Sequence, residues 1–240
     1  MRLTGYLLTF AGALCATAAQ ADEITGERDG EALVYRVGGF DSVGLGIPAS
    51  VDIRVGPDWS VRASGPANAL AELRVERDGR SLQLRPRNGW RNTNASLARQ
   101  VRVIITMPQL ASASIGGSGR MAVDRVTGES LRASVGGSGS LALGTVAVDN
   151  LAVSIGGSGE VTAAGRAAQL TVKNSGSGRF AAPDLRASGA TVSAAGSGQV
   201  RAVVDGPATV SLAGSGMVDL GRGAKCTVRR AGSGRVICGS

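Results

Sequence analysis

The tripeptide Gly-Ser-Gly occurs seven times, first at Gly117-Ser118-Gly119 and then from Gly137, Gly157, Gly176, Gly196, Gly214 and Gly232. Successive copies lie 20, 20, 19, 20, 18 and 18 residues apart. A near-constant period of this length marks a repeat architecture in which each unit stacks on the next. Apolar and polar residues alternate around each copy. Leu131-Arg132-Ala133-Ser134-Val135 precedes the second and Leu141-Ala142-Leu143 follows it. Leu151 to Ile155 and Val161-Thr162-Ala163 do the same for the third. Later copies keep the phase with Leu170, Val172 and Phe180, then Val192 and Val200, then Val210, Leu212 and Val218, and last Val228 and Val236. A period of two is that of a strand with one buried face.

Each unit therefore reads as strand, Gly-Ser-Gly corner, strand and a second turn. The second turns fall near Thr127-Gly128, Asp149-Asn150, Ala164-Gly165 and Asp205-Gly206. One unit cannot bury its apolar face alone, but stacked units can. The economical stack is all-β: a single-stranded parallel β-helix, right-handed by preference, with strands ~4.8 Å apart along its axis. Its corners are Gly117 and Gly119, Gly137 and Gly139, Gly157 and Gly159, Gly176 and Gly178, Gly196 and Gly198, Gly214 and Gly216, and Gly232 and Gly234. Glycine suits a reversal because it reaches positive φ without steric cost. The serine between is small enough to stack on its counterpart in the next coil.

The β-helix spans residues 111–240, and residues 22–110 form an N-terminal β segment that leads into it and caps it. Val51-Asp52-Ile53-Arg54-Val55 alternates until Gly56-Pro57-Asp58 breaks it, and Trp59 to Ala63 alternates again. Ala67 to Leu73 suits one or two helical turns. Asp78-Gly79 is a hairpin dipeptide joining Leu73-Arg74-Val75 to Leu82-Gln83-Leu84. The polar stretch 86–99 reads as a loop. Val101 to Met107 is the most strand-like run of this half, and Pro108 ends it.

Residues 1–21 read as a cleaved signal peptide: Arg2, an apolar Leu3–Leu14 run, and the small-x-small site Ala19-Gln20-Ala21. The apolar run is too short to span a bilayer, which takes ~20 residues. Cleavage removes one base and no acid, so the charge falls from +8 to +7. The arginines read as scattered, a surface mildly favouring anionic partners. Export and the scarcity of aromatic residues argue against nucleic acid. In an oxidising compartment, Cys226 and Cys238, which flank the last Gly-Ser-Gly, read as a disulfide pair.

Catalytic, cofactor and metal sites do not emerge. The chain has no histidine, the commonest general base and metal ligand. Calcium-binding glycine repeats need an Asp where this chain has Met121, Leu141 and Val161. No Gly-Lys-Ser/Thr follows a corner to cradle phosphate. The repeat acids Asp124, Glu129, Asp149, Glu160, Asp184, Asp205 and Asp219 fall at differing phases and should not line one groove. Arg120, Arg179 and Arg235 share the position after a corner, a weak basic stripe. Ser114, Ser134, Ser154, Ser193 and Ser211 share one outward phase, a hydroxyl column.

From Phe40-Asp41-Ser42-Val43 through Val51-Asp52-Ile53, Leu82-Gln83-Leu84, Val101 to Leu110 and the Gly-Ser-Gly ladder, the chain resembles the family called putative auto-transporter adhesin, head GIN domain. The resemblance implies an exported bacterial β-helix protein and brings no catalytic residues with it. The expectation is a non-enzymatic cell-envelope or surface protein, periplasmic, outer-surface or secreted. It would act as an adhesin-like binding or scaffold module for a glycan, an envelope polymer or a protein. Homo-oligomerisation through the C-terminal coil fits the same reading. The rivals are a polysaccharide-active β-helix enzyme and a self-associating structural envelope protein.

Overall fold

The computed structural model describes residues 21–87 and 95–239. Residues 1–20 of the signal segment and residues 88–94 of the polar loop lie outside them. The N-terminal part contains β1 (Asp22–Ile24), β2 (Glu27–Asp29), β3 (Ala32–Tyr35), β4 (Ser42–Leu45), β5 (Ser50–Val55) and β6 (Ser60–Ser64). After α1 (Ala67–Ala71) come β7 (Leu73–Asp78), β8 (Ser81–Pro86), α2 (Ala95–Ala98) and β9 (Arg102–Met107). The repeats supply β10 (Ser112–Gly117), β11 (Arg120–Gly137), β12 (Ser140–Gly157), β13 (Glu160–Gly176), β14 (Arg179–Gly196), β15 (Gln199–Val204), β16 (Pro207–Gly214), β17 (Met217–Asp219), β18 (Lys225–Ala231) and β19 (Arg235–Ile237). Together they make a β-solenoid of about six turns, the number that seven corners enclose.

The repeats stack in parallel with the corners in register. Gly117 lies opposite Gly137, which is followed by Gly157, Gly176, Gly196 and Gly214. One departure from the strand–turn–strand unit is its second turn. In β11 to β14 the chain stays paired to its neighbours through that point, giving strands of 17 or 18 residues. Buried positions show where it bends. Met121 and Val123 face inward, then Val126, then Leu131, Ala133 and Val135. A straight strand keeps one parity, so the two changes mark two bends and three runs per coil. Of the four expected second turns only Asp205-Gly206 separates two strands, β15 and β16, and the next coil breaks again between β17 and β18.

The parallel stack also reaches back before residue 111. On the wall preceding each corner, Leu82 of β8 lies opposite Val43 of β4, which lies opposite Ala113 of β10. On the wall following it, Val103 of β9 lies opposite Val51 of β5, which lies opposite Met121 of β11. Two more layers thus sit under the repeats, with Gly46-Ile47-Pro48-Ala49 turning the corner between β4 and β5. Among the described residues these layers have no third run, and Val55 would be left at an edge. Asp124 and Arg125 replace the missing neighbour: the Val55 N–H donates to Asp124 at 3.0 Å, and Arg125 donates to the Val55 carbonyl at 2.7 Å.

Antiparallel strands close the N-terminal edges, β7 and β1 on one wall and β6, β3 and β2 on the other. Ala69 and Leu70 of α1, Leu73 and Ala98 are buried beside them. The core is one column of mostly aliphatic side chains, joined by Tyr35, Phe40 and Phe180, and runs from these residues to Leu220 and Ala224 near the far end.

Candidate functional site

The corners decide what the outer surface can present. The first glycine of each Gly-Ser-Gly has a φ between +110° and +144°. A Cβ on Gly157 would lie 2.8 Å from the Gly137 carbonyl oxygen. The second glycine is excluded differently: its Cβ would enter the core, at Gly139 within 2.7 Å of Ile115 and 2.8 Å of the Gly119 oxygen. The serine N–H donates to the coil below, Ser158 to Gly137 at 2.9 Å. The hydroxyls point outward, and those of Ser215 and Ser233 meet at 3.2 Å. Each corner therefore seats on the previous one, and the outward side chains form columns.

Ser114, Ser134 and Ser154 do share a column, continued by Lys173, Ser193, Ser211 and Arg229. Beside it runs a threonine column that the sequence reading missed: Thr171, Thr191, Thr209 and Thr227 are mutual neighbours. Applying the corner offsets to the threonines would have found it. The residues after the corners also align, but Arg120, Arg179 and Arg235 are separated by Ser140, Glu160, Gln199 and Met217.

The acids serve mostly structural ends. Asp124 holds Val55. Glu160 lies 3.9 Å from Arg179, Asp205 3.5 Å from Arg186, and Asp219 3.5 Å from Arg201. The expectation of differing phases fails for one pair. The register on either side, Gly128 with Val148 and Ser130 with Asn150, puts Glu129 and Asp149 at one position of neighbouring coils. Both are exposed. Among the described residues no group of three metal-binding side chains occurs. The perturbed titrations belong to the N-terminal layers. Burial raises the Tyr35 phenol, an effect Arg87 partly offsets. Burial also acts to raise Asp41, but hydrogen bonds from Arg80 Nε at 2.8 Å and Ser42 Oγ at 2.9 Å outweigh it and hold the carboxyl below its ordinary range.

The last coil stands apart. Its inward positions are Cys226, Val228 and Arg230, in register with buried Ala208, Val210 and Leu212. Cys226 and Cys238 are joined, their Cα atoms 6.2 Å apart. Cys238 follows Ile237, which pairs with Asp219, so it sits over Leu220. The disulfide therefore bars the end of the core between its walls. Val228 is nonetheless 44% exposed and Ile237 41%. Arg230 turns its guanidinium to the Gly234 carbonyl, 3.1 Å away.

Charge concentrates at the same place, against the expectation of a scattered surface. Arginines occur throughout, but acids offset them up to Asp219. Residues 220–240 carry Arg222, Lys225, Arg229, Arg230 and Arg235 and no acid, so five of the seven net charges of a chain cleaved after Ala21 fall here. Among the described residues none of the five has an ion-pair partner. A running charge sum along the sequence would have shown this. A shallow groove of about 330 Å³ adjoins them, lined by Ser193, Ser211, Ala195, Ala213, Arg229 and Arg230 among others.

The family model of the putative auto-transporter adhesin, head GIN domain, matches residues 39–223. The strands β18 and β19 lie beyond the match. A putative adhesin from Bacteroides fragilis is similar in structure, with a TM-score of 0.80 at 20% identity over 86% of this chain and 95% of that one. A putative lipid binding protein from Parabacteroides distasonis gives 0.64 at 19% identity, over 90% and 98%. A putative adhesin from the same species gives 0.69 at 17%, over 86% and 95%. At these identities the likeness concerns the fold. No curated protein matches the chain. No helix among the described residues is long and apolar enough to cross a membrane.

Proposed function

The chain belongs to the putative auto-transporter adhesin, head GIN domain family, and from that premise we propose that it is an exported, non-enzymatic envelope or surface protein. Its solenoid would serve as a rigid adhesin-like binding or scaffold module. The observation that carries this reading is the locking of every coil at its corner. Outward residues are held in fixed columns over several coils, a surface suited to an extended partner. The partner would be a glycan, an envelope polymer or a protein. The test is an array of glycans and envelope polymers probed with the mature protein, with a parallel assay for release of new sugar ends. Retention of one class without turnover is the expected result. Turnover would overturn the non-enzymatic reading.

A second reading, a polysaccharide-active enzyme, draws on Glu129 and Asp149. Neighbouring strands lie ~4.8 Å apart, close to the ~5–5.5 Å between the carboxyls of retaining glycosidases. Their exposure weighs against it, because a catalytic pair works from a concave site that holds the substrate between its carboxyls. Loss of any turnover in Glu129→Gln would favour the enzyme. Turnover unchanged in that variant would remove the pair from consideration.

A further inference from the structure

We propose that the last coil docks an acidic, extended polypeptide segment of a partner protein, which adds a parallel strand to the outer edge of β18. The inference goes beyond the binding-module reading by naming a site and a partner chemistry.

Three observations converge. First, β18 pairs with β16 along its inner edge, whereas its outer edge meets only Gly239, bridged to Lys225. From Thr227 to Ala231 the backbone donors and acceptors that do not bond β16 face outward, with no strand among the described residues opposite them. Free edges of this kind accept added strands. Second, Val228 holds an inward position yet is 44% exposed, and no strand among the described residues lies over it. A partner with an apolar residue there would extend the core column. Third, the five cations of this coil have no ion-pair partner among the described residues, so the flanking residues of the partner should be acidic. The same charges oppose pairing between two copies of β18, since that would bring five cations against five. Inward-pointing and edge-borne charges are how sheet proteins block self-pairing. Here they leave the edge open to the opposite charge.

The mature protein would be titrated against three fluorescent probes: an eight-residue peptide alternating Glu and Val, a peptide of the same composition with N-methylated backbone amides on its bonding edge, and a sulfated polysaccharide. We expect the first to bind with an affinity that falls as salt rises, and the second to bind at least about tenfold more weakly, since it keeps the charge but loses the backbone bonds. Arg229→Glu with Lys225→Glu should weaken the first peptide by at least about tenfold. The N-methylation comparison holds even if those variants fold poorly. Equal binding of both peptides, or tighter binding of the polysaccharide, would overturn strand addition. So would salt-sensitive self-association that Arg229→Glu abolishes, which would assign the edge to a second copy. Failure of the glycan array leaves these outcomes untouched, so the two proposals fail separately.

Discussion

At the scale of single residues the corner separates three glycines that look alike in sequence. Gly156, Gly157 and Gly159 are consecutive members of Gly-Gly-Ser-Gly, yet a Cβ on Gly156 meets nothing within 4 Å. Its counterparts in later coils are Ser175, Ala195, Ala213 and Ala231. Gly157 has a φ of +110° and faces a carbonyl of the coil below. Gly157→Ala should therefore cost about 2–4 kcal/mol, backbone strain with overpacking, whereas Gly156→Ala should stay within about 0.5 kcal/mol. Urea denaturation of the two variants checks the contrast. Asn174 gives a prediction of opposite sign. It is buried in the column of Ile155 and Ala194, and its Oδ1 has no partner. Its Nδ2 donates to the Gly178 carbonyl at 2.8 Å, but that carbonyl already accepts the Gln199 N–H at 3.0 Å. Asn174→Val removes the orphaned oxygen without orphaning the carbonyl, and should raise stability by about 1 kcal/mol in the same assay. Asp41 carries a pH signature. Its carbonyl accepts from Ala111 while its own N–H donates to Arg80, so it ties the starts of β4, β8 and β10. Its folded pKa is depressed. The stabilisation is therefore present above the unfolded value of about 3.9 and lost as pH falls through the folded value. Asp41→Asn should cost about 1 kcal/mol at neutral pH and flatten the loss of stability in acid, as thermal melts from pH 7 to 2 would read.

At the scale of elements, what could be read from the sequence follows from what repeats there. The coil length, the corner and the inward phase of Leu131, Val153 or Val210 were legible because a glycine constraint recurs at each turn and leaves the same trace. The second and third bends recur in space but not in residue type. Gly128 is followed at its position by Val148, Ala167 and Ala187, because backbone pairing, with no special φ required in most coils, carries the chain round. The two N-terminal layers were hidden by a different corner, Gly46-Ile47-Pro48-Ala49, and by chain order. The chain lays β4 and β5 first, leaves through β6, α1 and β7, and returns underneath as β8 and β9, so neighbours in the stack are not neighbours in sequence. The basic character of the last coil was hidden because its cations stand mostly apart in the sequence, and only the lack of Asp and Glu after Asp219 makes them a cluster. The last coil, with a single neighbouring coil among the described residues, leans on its disulfide. The bond closes a loop of 12-residue separation, for which chain entropy gives about 3 kcal/mol. Each repeat contacts mainly its neighbours, so the loss on reduction should be local. Amide exchange in Cys226→Ser with Cys238→Ser should speed up from Lys225 to Ile237 and stay slow in β12 and β13. Uniform acceleration through the repeats would show that the bond stabilises the whole stack.

At the scale of the molecule, the register makes the solenoid a one-dimensional array, and this can be tested by removing one coil. Deleting residues 140–159 takes out one 20-residue period and joins Gly139 to Glu160. Arg120 and Met121 would then lie opposite Glu160 and Val161, which occupy the positions of Ser140 and Leu141 in the intact stack. Inward residues remain inward, and the corner at Gly137 and Gly139 seats beneath that at Gly176 and Gly178. Because stability in such arrays is near a sum of unit and interface terms, the shortened protein should fold cooperatively, with a lower midpoint and a smaller denaturant slope in proportion to the surface removed. Deleting residues 141–159 removes one residue fewer. Ser140 then precedes Glu160, the carboxylate falls at the inward position of Leu141, and Val161 turns to solvent. A one-residue slip exchanges the two faces of a strand, and a buried unpaired carboxylate adds a penalty of several kcal/mol. We expect this second variant to aggregate or to lose its cooperative transition, although it retains more of the chain. Circular dichroism and size exclusion of the two proteins decide the matter. If both fold equally well, the corners would not be setting the phase of the walls, and the fixed columns on which the binding reading depends would lose their basis.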